Sequence, residues 1–483
     1  MLVRATTEAP VDTAADTVAV GVFDGKGVAH DVDDGVLQAL LDGGEARTTF
    51  KHLALTHAAG RRWILVGLGD RDAFTPERAR VAAATVHARC TELGTQVLCW
   101  ELPHRLDDAQ AGGFVEGTVL ASYRFTLFRS EPAGAGPEPA LTELIVSDHE
   151  SRVVAVDRAG VIARAQNATR VLQDRPANDL TPAALGEFAL TLADAHEHVT
   201  ASVEGRAEIV ARGMGAFAAV AQGTDVEPAL ITLRYDPPDA RGPLLGLVGK
   251  AVTHDTGGLS IKPSGGMHRM KYDMSGGAAV LGALQAIAQL ALGVRVLVVI
   301  GATENAINGS AMKPGDIVRS MAGLTIEVDN TDAEGRMVLA DCLAHAVALG
   351  AERVVDLATL TGGVVTALGS TYAGLFANDD AWCAAVDAAG AASGERLWRL
   401  PLDPEYAERV KGRFADLTNS PEDKKAHPIS GAEFLHRFVG DVPWAHLDIA
   451  GVGWDLGKPW AAKGGSGFGV RLLVALAEAQ AGS

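Results

Sequence analysis

Apolar residues along the chain fall into two alternating kinds of run. DTVAVGVF (16–23), RWILVGLG (62–69) and TQVLCWEL (95–102) carry the short, dense apolar character of strands. PERARVAAATVHARCTEL (76–93), between two of them, reads as a helix, which gives the first third a βαβ rhythm. EPAGAGPEPA (131–140) is a Gly/Pro loop, and a long amphipathic stretch over 153–173 follows. That stretch reads as the helix joining two domains, 1–165 and 166–483. In the second, LLGLVG (244–249), VRVLVVIGA (294–302), LTIEV (324–328), RVVDLATL (353–360) and WAHLDIAG (444–451) alternate with helical segments over 276–292, 336–349 and 432–439. Near-continuous Val/Ile/Leu runs separated by helices predict a mostly parallel sheet covered on both faces. The expected class is therefore α/β in two domains: a smaller N-terminal α/β domain, and a larger C-terminal α/β domain with a mostly parallel central sheet.

Composition narrows the partners. The 483 residues are 48% hydrophobic and 21% charged, which excludes global disorder. The net charge of −18 opposes nucleic acid or an anionic membrane as the main partner. Cys90, Cys99, Cys342 and Cys383 include no C-x-x-C pair and fit a reducing cytoplasm. The first twenty residues lack the basic start and apolar block of a signal peptide. The most apolar long stretch, 276–292, is short of a membrane span and is interrupted by Gln285 and Gln289.

Ligands of open α/β sheets bind beyond the carboxyl ends of the strands, so the polar residues following the apolar runs are the candidates. They include four acids, Asp255, Asp273, Asp332 and Glu334. Asp332 and Glu334, at i and i+2, are expected to point the same way on extended chain. Gly335 and Arg336 then open a helix whose N-terminus suits an anion. Four converging carboxylates without counter-charge repel one another. Two divalent cations would neutralise about four negative charges, the arithmetic of an oxygen-rich two-metal site. Spacing alone leaves a plain surface acidic cluster equally open; the strand-end position among Gly-rich turns favours metal. Lys250 and Lys262 are ordinary salt-bridge partners on the bland reading. Beside two dications one can instead lose its proton and ligate, while the other stabilises an oxyanion.

At these residues the sequence resembles the leucyl aminopeptidase family of two-metal cytosolic peptidases. The stretches are VGKAVTHDTGGLSIKPS (248–264), MKYDMSGGAAVLGAL (270–284) and NTDAEGRMVLADCL (330–343). PANDLTP (176–182), DLATLTGG (356–363), WAHLDIAG (444–451) and KGGSGFGVRLL (463–473) support them, while the first third is similar only through YRF (123–125). The resemblance implies metal ligation by Lys250, Asp255, Asp273, Asp332 and Glu334, with Asp255 and Glu334 bridging two ions of zinc, manganese or magnesium. It implies catalytic roles for Lys262 and Arg336, a bicarbonate on Arg336, and a metal-bridging hydroxide as nucleophile. It places Met270, Asn330, Thr359, Leu360, Gly362 and Ala450 against the substrate, and it implies a cytoplasmic homohexamer that removes N-terminal leucine and other apolar residues from peptides. Gly453 stands where relatives often carry something larger, which loosens the expected leucine preference. The stretch 426–435 departs from the family's Gly/Ala-rich form.

Other signals carry less. His254 is expected to point away from Asp255 by strand alternation. His196 and His198 diverge on a helix. Gly249-Lys250 lacks phosphate-loop spacing, and Gly451–Gly453 lacks the last glycine of a dinucleotide fingerprint. Ser370 and Ser466 have no nucleophile-elbow context. Cys342 reads as inert core, and Trp444 and Trp454 as packing or site-mouth residues. The competing functions are a two-metal phosphoester hydrolase, a DNA-binding accessory, and an inactive paralogue.

Overall fold

The computed structural model describes residues 1–130, 140–423, 425–461 and 463–482, so the loop expected at 131–140 lies outside them apart from Ala140. The chain forms two compact units, 1–167 with 457–462, and 168–456 with 463–483.

The first unit is built on six strands: β1 (Leu2–Thr6), β2 (Thr17–Phe23), β3 (Leu53–Ala58), β4 (Arg61–Gly69), β5 (Val97–Glu101) and β6 (Glu143–Ser147). Their order is β1-β6-β5-β2-β4-β3, parallel throughout except for the β3–β4 hairpin. The Pro76–Leu93 helix starts where Thr75 accepts from Arg78 N with Pro at the first turn, and it stops at Gly94, held at φ 65°. Its neighbour, Asp108–Ala121, begins with an Asp107–Gln110 capping box. Gly117 lets the two helices touch: a Cβ there would lie 2.3 Å from Arg80 O. The short return 457–462, inside the stretch expected to belong wholly to the second domain, packs in this unit instead. Buried Trp460 donates from Nε1 to Glu77 Oε1 at 3.2 Å, and Lys458 pairs with the same oxygen at 3.0 Å.

The second unit carries an eight-stranded sheet. Its strands are β7 (Val199–Glu204), β8 (Ala229–Tyr235), β9 (Arg241–Asp255), β10 (Val294–Asn305), β13 (Arg353–Ala358), β14 (Ala373–Ala377), β15 (Leu397–Arg399) and β17 (Trp444–Asp448). The order is β15-β14-β17-β13-β9-β10-β8-β7. The central four, β17, β13, β9 and β10, are parallel; β8 pairs antiparallel to β10, and β14 to β17. LTIEV does not join this sheet as expected. Thr325–Glu327 (β12) lies between Ile317–Arg319 (β11) and Leu417–Thr418 (β16) in a separate three-stranded sheet, with Ile326 buried in the core. The helix expected from 336 begins earlier, at Glu334, and the one expected at 432–439 spans His427–His436 with Pro428 in its first turn. Among the described residues, no helix is long and apolar enough to cross a membrane.

Glycines set how closely helix meets sheet in this unit. A Cβ on Gly276 would lie 1.9 Å from Leu357 O, and one on Gly249 would lie 2.6 Å from Gly277 Cα. The Ser275–Gln289 helix therefore rests its first turn directly on β9 and β13, which brings the preceding Asp273 to the strand ends.

Candidate active site

The site forms past the carboxyl ends of β9, β10 and β13. Strand alternation should send Lys250 and Asp255, five residues apart, to opposite faces. A bulge near Thr253 breaks the register between β9 and β10, so both residues line one cleft. Glu334 enters as the first residue of the Glu334–Ala348 helix, and Ala333 before it is at φ −110°, ψ 39°. Asp332 and Glu334 are thus not on extended chain, and they converge for a different reason from the one expected. The helix start turns them toward different lysines.

Lys250 Nζ lies 2.8 Å from Asp273 Oδ2 and 2.8 Å from Glu334 Oε1, and it donates to Asp273 Oδ1 at 2.8 Å and Thr359 O at 3.1 Å. Lys262 Nζ pairs with Asp255 Oδ2 at 2.7 Å and with Asp332 Oδ1. Thr359 Oγ1 donates to Asp273 Oδ1 at 2.7 Å. Lys250, Asp255, Asp273 and Glu334 are each no more than 4% exposed. Burial alone would lower the Lys250 pKa, but the carboxylates of Asp273, Glu334 and Asp255 overcome it and hold the ammonium charged. Burial raises Asp273 well above the usual carboxylate range, against the pull of Lys250. Burial, then repulsion from Asp255 and Glu334, lifts Asp332 to about 6.

The cleft has a volume of about 580 Å³. Met270, Thr359, Leu360, Gly362 and Ala450 line it beside the acids and lysines, with Trp454 at its edge. Asn330 and Arg336 are not among the lining residues. Asn330 Oδ1 instead accepts from Asp332 N at 2.9 Å, which shapes the acidic loop. Arg336 is 1% exposed behind it, donating from Nη1 to Asn419 O at 2.8 Å, with Nη2 3.2 Å from His427 Nε2. Burial lowers its pKa to about 10. His254 is only partly buried and stays off the cleft. Cys342 is buried, and Trp444 is packed with Nε1 on Asp356 at 2.6 Å.

Two functional residues escaped the sequence reading. Asn305, paired with Asp255 across β9 and β10, donates from Nδ2 to Asp255 Oδ1 at 2.9 Å and to Thr331 O at 3.1 Å. Asp448, fully buried at the end of β17, accepts from Leu360 N at 3.1 Å, Ala450 N at 3.2 Å and Thr361 Oγ1 at 2.6 Å, tying together the two loops that wall the cleft. They are the last residues of β10 and β17.

The oxygens of Asp255, Asp273 and Glu334 lie within 4.8 Å of one another, close enough to share a cation. Four carboxylates facing two ammoniums keep the cluster net negative, so the donor set fits divalent metal.

Comparison with known proteins bears on the family of the chain. The catalytic-domain model of the cytosol aminopeptidase family matches residues 167–474, and the N-terminal-domain model of the same family matches 19–132. A probable cytosol aminopeptidase of Roseiflexus castenholzii is 42% identical, over 98% of this chain and 98% of its own. One from Acidobacterium capsulatum is 41% identical over 91% and 89%. Among solved structures, the bottromycin maturation enzyme BotP in complex with Mn superposes with a TM-score of 0.87 at 35% identity, covering 97% of this chain and all of that one. A mutant of tomato leucine aminopeptidase gives 0.87 at 31% identity, over 99% and 96%. With both of its domains matched, the chain belongs to the cytosol aminopeptidase family, whose members hydrolyse peptide bonds.

Proposed function

We propose that the protein is a metal-dependent aminopeptidase that removes N-terminal residues, leucine and other apolar ones foremost, from peptides and aminoacyl amides. The observation that carries this reading is the convergence of Lys250, Asp255, Asp273, Asp332 and Glu334 in one cleft, all but Asp332 buried. These five residues would hold divalent cations of the zinc or manganese class, Lys250 only once its ammonium has given up its proton; magnesium is the harder alternative. Cations bound there supply Lewis acidity toward the scissile carbonyl and a nucleophilic hydroxide from water at neutral pH.

The chain's own residues do the rest. Met270, Leu360 and Ala450 receive the apolar side chain. Lys262, 21% exposed at its side chain and charged, is placed to donate to the oxyanion as the carbonyl becomes tetrahedral. Asn305 and Thr359 fix the carboxylates of Asp255 and Asp273 in register. Arg336, whose buried Nε has no hydrogen-bond partner among the described residues, is assigned an anion such as bicarbonate.

Glu334→Ala tests this reading. Hydrolysis of leucine p-nitroanilide should fall below detection, and metal bound per chain should drop. Retained activity in metal-free Glu334→Ala protein overturns the proposal.

A further inference from the structure

The first unit has its own cluster of ligating side chains past the carboxyl ends of a parallel sheet. β6, β5 and β2 are adjacent, and a histidine follows each: His149 after β6, His104 after β5 and His30 after β2. The rings form a row, His30 to His104 at 5.2 Å between centroids and His104 to His149 at 4.9 Å. The Nδ1 atoms of His104 and His149 face each other at 3.3 Å. His30 Nδ1 lies 2.5 Å from Oε1 of Glu101, the last residue of β5. Glu101 is 5% exposed, and its Oε2 has no hydrogen-bond partner among the described residues.

Two Nδ1 atoms face to face cannot both carry a proton comfortably, so at least one offers a lone pair. The His104 pKa is lowered accordingly, by burial first and then by His149 and His30. Zinc–nitrogen bonds are about 2.0–2.1 Å, which sets two nitrogens on one tetrahedral ion roughly 3.3 Å apart. The observed separation is that edge. Arg71 donates to His104 O at 2.9 Å, and Arg152 holds Asp148 Oδ2 at 2.8 Å, leaving Asp148 Oδ1 2.7 Å from His149 Nδ1.

We propose that His104 and His149, completed by His30, form a binding site for a transition-metal dication of the zinc class, sharing no residue with the acidic cluster. Among the described residues, only Asp255, Asp273 and Glu334 place three ligand atoms within 4.8 Å of one another, so the histidine site closes by rotation of His30, whose side chain is 61% exposed.

The probe is Zn²⁺ itself, titrated into chelator-stripped full-length protein against a chromophoric competitor. Wild type should take up one equivalent more than His104→Ala or His149→Ala, with leucine p-nitroanilide hydrolysis unchanged in both. His149→Gln, which retains a polar partner for Asp148, should lose the same equivalent, and matching urea midpoints of the metal-free proteins separate ligand loss from unfolding. In a Glu334→Ala background the extra equivalent should persist while the acidic-cluster zinc is lost. Equal stoichiometry in wild type and all three histidine variants overturns the proposal.

Discussion

Each unit of this chain sets polar residues beyond the carboxyl ends of parallel strands, but the two treat them differently. In the second unit the Lys250 and Glu334 side chains are 3% and 2% exposed; in the first, those of His30 and His149 are 61% and 50% exposed. Water screens the histidines, so their pairings cost and gain little. Buried acids and ammoniums have no such relief, and removing one partner leaves the other uncompensated. Burial, more than residue type, is what turns a strand-end cluster into demanding machinery.

Lys262→Ala should show the largest effect short of losing Glu334. We expect kcat on leucine p-nitroanilide to fall by ~10²–10³, as for loss of one oxyanion donor, with bound metal unchanged. Emptying of the metal site instead would mean that the two lysines have exchanged roles.

His87 sharpens the comparison from inside the first unit, because it is a buried titratable group there, 9% exposed on the Pro76–Leu93 helix. Burial, then the charge of Arg124, lowers its pKa to about 4 from 6.5. The native state therefore binds fewer protons than the unfolded chain between these values. Stability is full above pH 6.5 and falls by up to about 3 kcal/mol as pH drops to 4. Urea unfolding at a series of pH values should show this slope, and His87→Gln should flatten it by that amount.

Gly335→Ala probes how tightly the second unit is closed. An added Cβ would stand 2.6 Å from Lys250 Nζ and 2.5 Å from its Cε. We expect activity to fall by about 10²-fold through misplacement of that amine, with the fold kept, as circular dichroism would record. At the small end, His149→Ala in metal-free protein should shift stability by no more than about 0.5 kcal/mol; a larger loss in urea unfolding would break the contrast.

The site acids were legible in the sequence because they sit in short, dense motifs: Asp332, Glu334 and Arg336 fall within seven residues. The geometry that unites them was less so. The bulge near Thr253 leaves no local signature, and the start of the helix at Glu334 overrode the extended-chain reading. Asn305 and Asp448 were missed because the contacts that tie them to the site, with Asp255 and Leu360, span 50 and 88 residues of sequence. The central strands announced themselves through unbroken apolar runs. β1 did not, since its five residues are exposed or only partly buried and pair with β6, reached only at residue 143.

The path of the chain through 457–462 also governs how the molecule can be taken apart. Scissors applied once, after residue 167, free neither half: a fragment starting at 168 carries off Trp460, an indole whose hydrogen-bonding partner Glu77 stays on the discarded piece. Anyone wishing to express the catalytic half alone must therefore also rebuild a six-residue excursion, or accept an orphaned aromatic on its surface.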